Sequence, residues 1–165
     1  MRTKKILSIL ILLGIILVPI LLYYFGGSIP TQKYIYEINW DIDIPSDYKP
    51  IYQSQDKHDF QGNGNRYTIF TTNKMDISNL ITLQKNTKNI QVYNGSSNDP
   101  NSNNSDNTEI ETFVQSVISG LNIPKSQEPV FTQYYLWQKF VRYGKTLVVL
   151  YFPDRNQVFF IESLI

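Results

Sequence analysis

Residues 6–25 read ILSILILLGIILVPILLYYF, twenty positions without a charge. A helix rises about 1.5 Å per residue, so a run of this length covers about 30 Å, the thickness of a bilayer's hydrocarbon core. The sequence therefore predicts a single membrane-spanning helix, in which Pro19 is tolerable because transmembrane helices accommodate proline better than soluble ones do. Arg2, Lys4 and Lys5 precede the run with no acid among them, and Tyr23 and Tyr24 stand at its far end. Basic residues stay on the cytoplasmic side and aromatic rings favour the membrane interface, which orients the chain with residues 1–5 inside and the remainder outside. The alternative is a cleaved secretory signal. Its apolar core would be only about 7–15 residues long and a small-residue cleavage site would follow. Here the run is longer, and Tyr23, Tyr24, Phe25 and Pro30 crowd Gly26 and Ser28. The expected organisation is a cytoplasmic N-terminus (1–5), an anchor (6–25), a linker (26–33) and one extracytoplasmic domain (34–165). A chain of 165 residues has room for no second core beside an anchor.

Beyond the run, twelve bases face fourteen acids. A slightly acidic domain without a basic stripe lacks the footprint that phosphate-backbone binding requires, so no nucleic-acid partner is expected. There is no Cys, which removes disulfides, thiolate nucleophiles, cysteine-ligated zinc and an acylated-cysteine anchor. The domain must stand on packing alone, and 12 Tyr, 9 Phe and 2 Trp supply large side chains for it. Ala is absent while Ile, Asn, Lys, Ser and Tyr abound, a bias resembling that of AT-rich, low-G+C Gram-positive bacteria.

Residues 34–44 alternate apolar and polar, with Tyr34, Tyr36, Ile38, Trp40, Ile42 and Ile44 on one side and Glu37, Asn39, Asp41 and Asp43 on the other. Period two predicts a half-buried strand. A second strand is expected over 66–72, a short helix from Asp76 or Ser78 to about Gln84, and a brief strand over 90–93. Residues 94–107 hold only Asn, Ser, Asp, Gly and one Pro with no large apolar side chain, and so predict a mobile loop. Thr108 and Glu111 form a capping box, and Ile110, Phe113, Val114, Val117, Ile118 and Leu121 make one stripe of an amphipathic helix that ends near Gly120 and Asn122. The C-terminal stretch reads as strands over 134–141, 146–152 and 157–164, separated by turns at Tyr143-Gly144 and Pro153–Asn156. The fold class is α+β: an antiparallel sheet with a C-terminal three-stranded meander, one main amphipathic helix packed on it, and a transmembrane helix in front.

The segment 56–64 concentrates the polar chemistry. It holds the single histidine, His58, with Asp56, Asp59 and Asn63 as neighbouring acceptors and Gly62 and Gly64 as permissive backbone positions. The plain reading is a glycine-rich connection between two strands. The functional one is a ligand loop, or a hydrolase or metal-dependent site built on His58 with Asp56 and Asp59. Serine nucleophiles lack a G-x-S-x-G elbow, so no catalytic residue, metal ion or cofactor is assigned. Asp99 to Asn103 imitates the start of a calcium loop, but Ile110 stands where the closing Glu is needed.

The pattern Asp56-x-His58, Gly62-Asn63-Gly64, Arg66-Tyr67 and Phe70, with the closing runs 147–153 and 158–163, resembles a group of small membrane-anchored or lipid-anchored extracytoplasmic proteins of low-G+C Gram-positive bacteria. The resemblance implies the anchored architecture and carries no activity. In that group an Asp often stands where this chain has Asn63, and a His or Gly near Gln61 or Asp59; the departure at Asn63 removes a carboxylate.

The tail carries more aromatic area than one sheet face needs. Either both faces are covered, or one is a binding surface. Tyr134, Tyr135 and Tyr143 are the expected exposed rings. The functional expectation is a non-catalytic interaction domain facing the cell envelope, whose partners are the membrane and an envelope protein or cell-wall component. The alternatives are the His58 enzyme and glycan binding through exposed tyrosines.

Overall fold

The computed structural model describes residues 31–56, 64–73, 83, 93–95 and 104–164. Residues Met1–Ile35 and Tyr36–Ile165 form two compact units. The apolar run 6–25 lies outside the described residues, among which no helix is long and apolar enough to cross a membrane. Of the first unit, Thr31 opens a helix: its hydroxyl accepts from the Tyr34 N–H at 3.3 Å and its carbonyl from Ile35 N–H at 3.0 Å. This satisfies two of the amides that a helix start leaves without partners.

That helix, α1 (Gln32–Trp40), overturns the strand expected over 34–44 and shortens the expected linker. Residues two apart sit on opposite sides of a helix, whereas residues four apart share a face. Tyr36 and Trp40 are accordingly buried, and Ile38 is exposed. Asp41, at φ +53°, ends the helix in the left-handed region. Only then does the chain extend, with Ile42 and Ile44 buried between exposed Asp41 and Asp43. The alternation was real over 40–44, but upstream it coincided with helical i, i+4 spacing.

In the second unit the strands are β1 (Lys49–Gln55), β2 (Asn65–Thr71), the two-residue β3 (Tyr93–Asn94), β4 (Leu136–Arg142), β5 (Lys145–Phe152) and β6 (Gln157–Ser163). They form one antiparallel sheet in the order β1-β2-β6-β5-β4-β3. The predicted meander is β4–β5–β6. Its first turn has positive φ at Tyr143 (+52°) and Gly144 (+76°), as a type I′ hairpin requires. Its second is a 3-10 turn over Pro153–Arg155 closed by Asn156 at φ +50°. A six-strand register follows from the apolar pattern, because a slip by one residue would turn every side chain to the other face.

Both faces are covered. On one, Tyr67, Ile69, Trp137, Val148, Leu150, Phe152, Phe159 and Ile161 pack against Ile110, Val114, Val117 and Ile118 of α2 (Asn104–Leu121). On the other, Phe70, Leu136, Phe140, Leu147, Val149, Tyr151, Val158 and Phe160 meet Tyr36, Trp40, Ile42, Ile44 and Tyr48. Sandwiched strands carry continuous apolar runs, which is why LVVLYF in β5 and VFFI in β6 do not alternate.

Helix α2 starts four residues before the predicted capping box, so the expected loop 94–107 gives up its last four residues and, at its start, Asn94 to β3. Asn107 explains the extension. It is buried; its side-chain carbonyl accepts from the Trp137 indole N–H at 2.8 Å and its amide donates to the Asn94 carbonyl at 3.3 Å. These tertiary bonds stabilise a helical turn whose residues would not form one alone. Gly95 is also packed, its N–H donating to the Tyr135 carbonyl at 2.9 Å. Of the predicted short helix near 76–84, only Leu83 lies among the described residues; it is buried, and its carbonyl accepts from Asp43 N–H at 2.8 Å.

Candidate functional site

The ligand loop proposed for 56–64 is described at its two ends only. Asp56 donates its N–H to the Asn65 carbonyl at 3.0 Å and accepts the Asn65 N–H on Oδ2 at 2.7 Å. Gly64 has φ +120°, and a Cβ there would stand 3.1 Å from that of Asp56. Its carbonyl accepts from Leu164 N–H at 3.0 Å. Asp56 and Gly64 thus tie the end of β1 to the start of β2, and Gly64 to the residue after β6. His58, Asp59, Gly62 and Asn63 lie outside the described residues. Among the described residues, no group of three or more His, Asp or Glu side chains is placed to hold a metal ion.

Of the three tyrosines expected at the surface, Tyr134 and Tyr143 are exposed and Tyr135 is not. Tyr135 is enclosed between Phe131 and Phe152, and its hydroxyl donates to Glu111 Oε1 at 2.9 Å. Burial first, and then the Glu111 carboxylate, push its phenol above the ordinary tyrosine range. The correction is one of parity: Tyr135, Trp137 and Lys139 point to the α2 side, where a helix crosses the start of β4.

A buried charge went unread in the sequence. Glu162 on β6 is fully buried, yet its Oε2 pairs with Arg66 Nη1 at 3.0 Å and its Oε1 accepts the Trp40 indole N–H at 2.7 Å and the Asn39 amide at 3.5 Å. Period two carries the signal: Val158, Phe160 and Glu162 share a face, so an acid continuing an inward-facing series had to find partners there. Those partners lie on α1 and β2. The carboxylate therefore clamps the helix to the sheet.

Beside this clamp the surface is concave. Ile38, Asn39 and Trp40 of α1, Arg142, Tyr143 and Lys145 of the β4–β5 hairpin, and Leu164 line a cleft of about 260 Å³. Arg142 is held from two sides, donating from Nη1 to the Asn39 carbonyl at 3.1 Å and lying over the Tyr143 ring with its guanidinium carbon 5.4 Å from the centroid. Only one of its five N–H donors is used in that bond. Lys145 adds a second cation, and among the described residues no acid lines the cleft. Two of its lining side chains are open to solvent, Tyr143 at 88% exposed and Ile38 at 58%. The turn at Tyr143-Gly144 and the exposure of Tyr143 were legible in the sequence. Asn39 and Trp40 were not, because they had been assigned to a strand. Chemically the arrangement can attract an oxyanion, offer it fixed donors, and cover it with an aromatic and two aliphatic groups.

Compared with known proteins, the chain matches no family model, no curated protein and no solved structure.

Proposed function

We propose that this chain is a single-pass, membrane-anchored protein whose C-terminal domain is a non-catalytic interaction module on the outer side of the cell membrane. The anchor rests on the uncharged run 6–25 and the bases before it. Six residues, 26–31, join that run to α1, and an extended chain of this length reaches no more than about 20 Å. The tether thus restricts the domain to partners at or near the membrane surface.

The observation that carries the interaction reading is the cleft beside the β4–β5 hairpin. Nearly all the large apolar side chains of β4, β5 and β6 are buried on one face or the other, whereas Tyr143 projects from the hairpin tip beside two cations and Ile38 of α1 stays exposed in the same cleft. A protein surface that keeps such residues together supports recognition rather than folding. The test places a photo-crosslinking residue at position 143 in cells and a reporter that functions only outside the cytoplasm after Ile165. Reporter activity together with a discrete adduct from position 143, absent from the same probe at Thr132, is the expected result. An inactive reporter would refute the topology, and identical adduct patterns at both positions would refute the cleft as the contact surface.

A further inference from the structure

We propose that the end of the domain formed by the β4–β5 hairpin and the C-terminal end of α1 is a membrane-contact face, with the cleft taking the phosphate of an anionic lipid. The inference rests on the reading of the cleft as the interaction surface and names its occupant. Three observations point to a lipid surface. Among the described residues, the charge in the cleft lining is of one sign, from Arg142 and Lys145. Phosphate oxygens match the forked donors of an arginine and can accept from a lysine at the same time. The exposed side chains beside these cations are Tyr143 and Ile38. Tyrosine with an aliphatic neighbour and flanking bases is the composition that settles at a headgroup boundary, the ring at the interface and the cations on the phosphates. A soluble anion would satisfy the cations but leave those two side chains in water.

The third observation is reach. The chain that carries the cleft also carries the apolar run, and only residues 26–31 intervene before α1. A bilayer would thus be present at high effective concentration, so even a weak face, worth about five-fold in occupancy for each base, becomes populated. Arg142 is suited to this role because its guanidinium is already positioned by the Asn39 carbonyl and the Tyr143 ring, and little side-chain entropy remains to be lost on contact.

The chain contains no Cys, so one introduced thiol reports from one place. Full-length protein with Tyr143→Cys carrying an environment-sensitive aromatic fluorophore is reconstituted into nanodiscs of phosphatidylcholine alone, or of phosphatidylcholine with phosphatidylglycerol, each containing a lipid-borne quencher. A second label at Thr132→Cys, exposed before β4, serves as control. The expected result is quenching at position 143 that is strong with phosphatidylglycerol, weak without it, and absent at position 132. Lys145→Gln should lower the contacting fraction ratio about five-fold and Arg142→Gln by a similar factor. Because Arg142→Gln also removes the bond to Asn39, Lys145→Glu, at a half-exposed position of the hairpin, provides the decisive variant. It should abolish quenching while the thermal transition stays in place. Equal quenching in both lipid mixtures, or quenching unchanged by Lys145→Glu, overturns the proposal. Soluble glycerol phosphate is the last arm. If it saturates the cleft resonances while phosphatidylglycerol discs give no quenching, the cleft takes a free phosphate ligand, which sinks the membrane-contact face but leaves the interaction reading standing. A discrete protein adduct from position 143 in cells with no lipid-dependent quenching has the same effect.

Discussion

The Trp40 indole donates to the Glu162 carboxylate at 2.7 Å, across 122 residues of sequence. The bond joins the last residue of α1 to the last core position of β6, and Arg66 on β2 completes the charge balance at 3.0 Å. A buried ion pair is costly to assemble and costlier to halve. Arg66→Met should therefore destabilise the domain by about 3 kcal/mol, the lower end of the range because Arg66 keeps some access to solvent. The double variant Arg66→Met with Glu162→Met should recover much of that loss. Denaturant unfolding of the four members of this cycle checks it; additive losses would show that the two side chains do not act as a pair.

Asn107 leads to a second prediction. Asn107→Leu removes an acceptor from the Trp137 indole, which is buried, and a donor from the Asn94 carbonyl. A loss of about 1–3 kcal/mol is expected when one partner of such a bond is removed. Asn101→Leu, in the segment outside the described residues, provides the comparison by thermal denaturation. Equal effects would refute the assignment of Asn107 to the core.

Gly95 is a steric requirement. A Cβ at this position would stand 2.0 Å from Tyr135 Cε2, inside the ring of a fully buried side chain. Gly95→Ala should cost about 1–3 kcal/mol, as overpacking does. Adding Tyr135→Leu to it should relieve most of that strain beyond its own cavity cost, which a double-variant cycle measures.

Five phenols lie well above the ordinary tyrosine value of about 10, burial being the largest cause in each: Tyr36, Tyr48, Tyr67, Tyr135 and Tyr151. Tyr48 is pushed up to about 12 by burial and by the Asp47 carboxylate. The folded state holds these protons more tightly than the unfolded chain does. Stability is therefore intact below about pH 10 and falls as pH rises toward the folded values, by at most about 1.4 kcal/mol per unit for a fully enclosed ring such as Tyr36 or Tyr151. Urea midpoints should drop between about pH 10 and 12, with phenolate absorbance appearing at unfolding rather than before it. Tyr151→Phe should flatten that slope; an unchanged slope would contradict the assignment.

The apolar pattern disclosed the meander, the α2 stripe and both hairpin turns, because each depends on local periodicity or turn chemistry. It misread 34–40, where Tyr36 and Trp40 satisfy a spacing of two as well as a spacing of four, and only their docking on the sheet, with Tyr34 and Ile38 left exposed, decides between them. It gave 104–107 to a loop because composition carries no record of the Trp137 indole that orders Asn107. For the site, Arg142 and Lys145 gained a role only from the cleft, whereas Tyr143 and its exposure could be read directly, being defined by a two-residue turn. The cleft could not, since its other wall is the end of a helix placed by Glu162, 122 positions away from Trp40.

Tyr143 itself separates fold from function. It holds φ +52° at the first central position of the hairpin, where Asn or Gly is favoured and an ordinary L-residue bears roughly 1–2 kcal/mol of steric cost. Its side chain is almost wholly in water, so it returns little packing energy. Gly144, at φ +76°, has nothing within 4 Å of the place a Cβ would occupy, so the turn is open rather than wedged against a neighbour. A residue kept against local preference and without burial points to a demand outside folding, the usual sign of a stability–function compromise. Tyr143→Asn should accordingly raise stability, by about 0.5–1 kcal/mol as part of that strain is relieved. The same substitution should remove the contacts made from the cleft, since Asn, unlike an aromatic label attached at this position, restores neither the exposed ring nor the surface on which Arg142 rests. Thermal unfolding and nanodisc quenching from a label at Val141→Cys, read on the same protein, decide the matter. A gain in melting temperature with loss of quenching is the expected pair of results; lower stability with full quenching would show Tyr143 to be a structural residue of the hairpin.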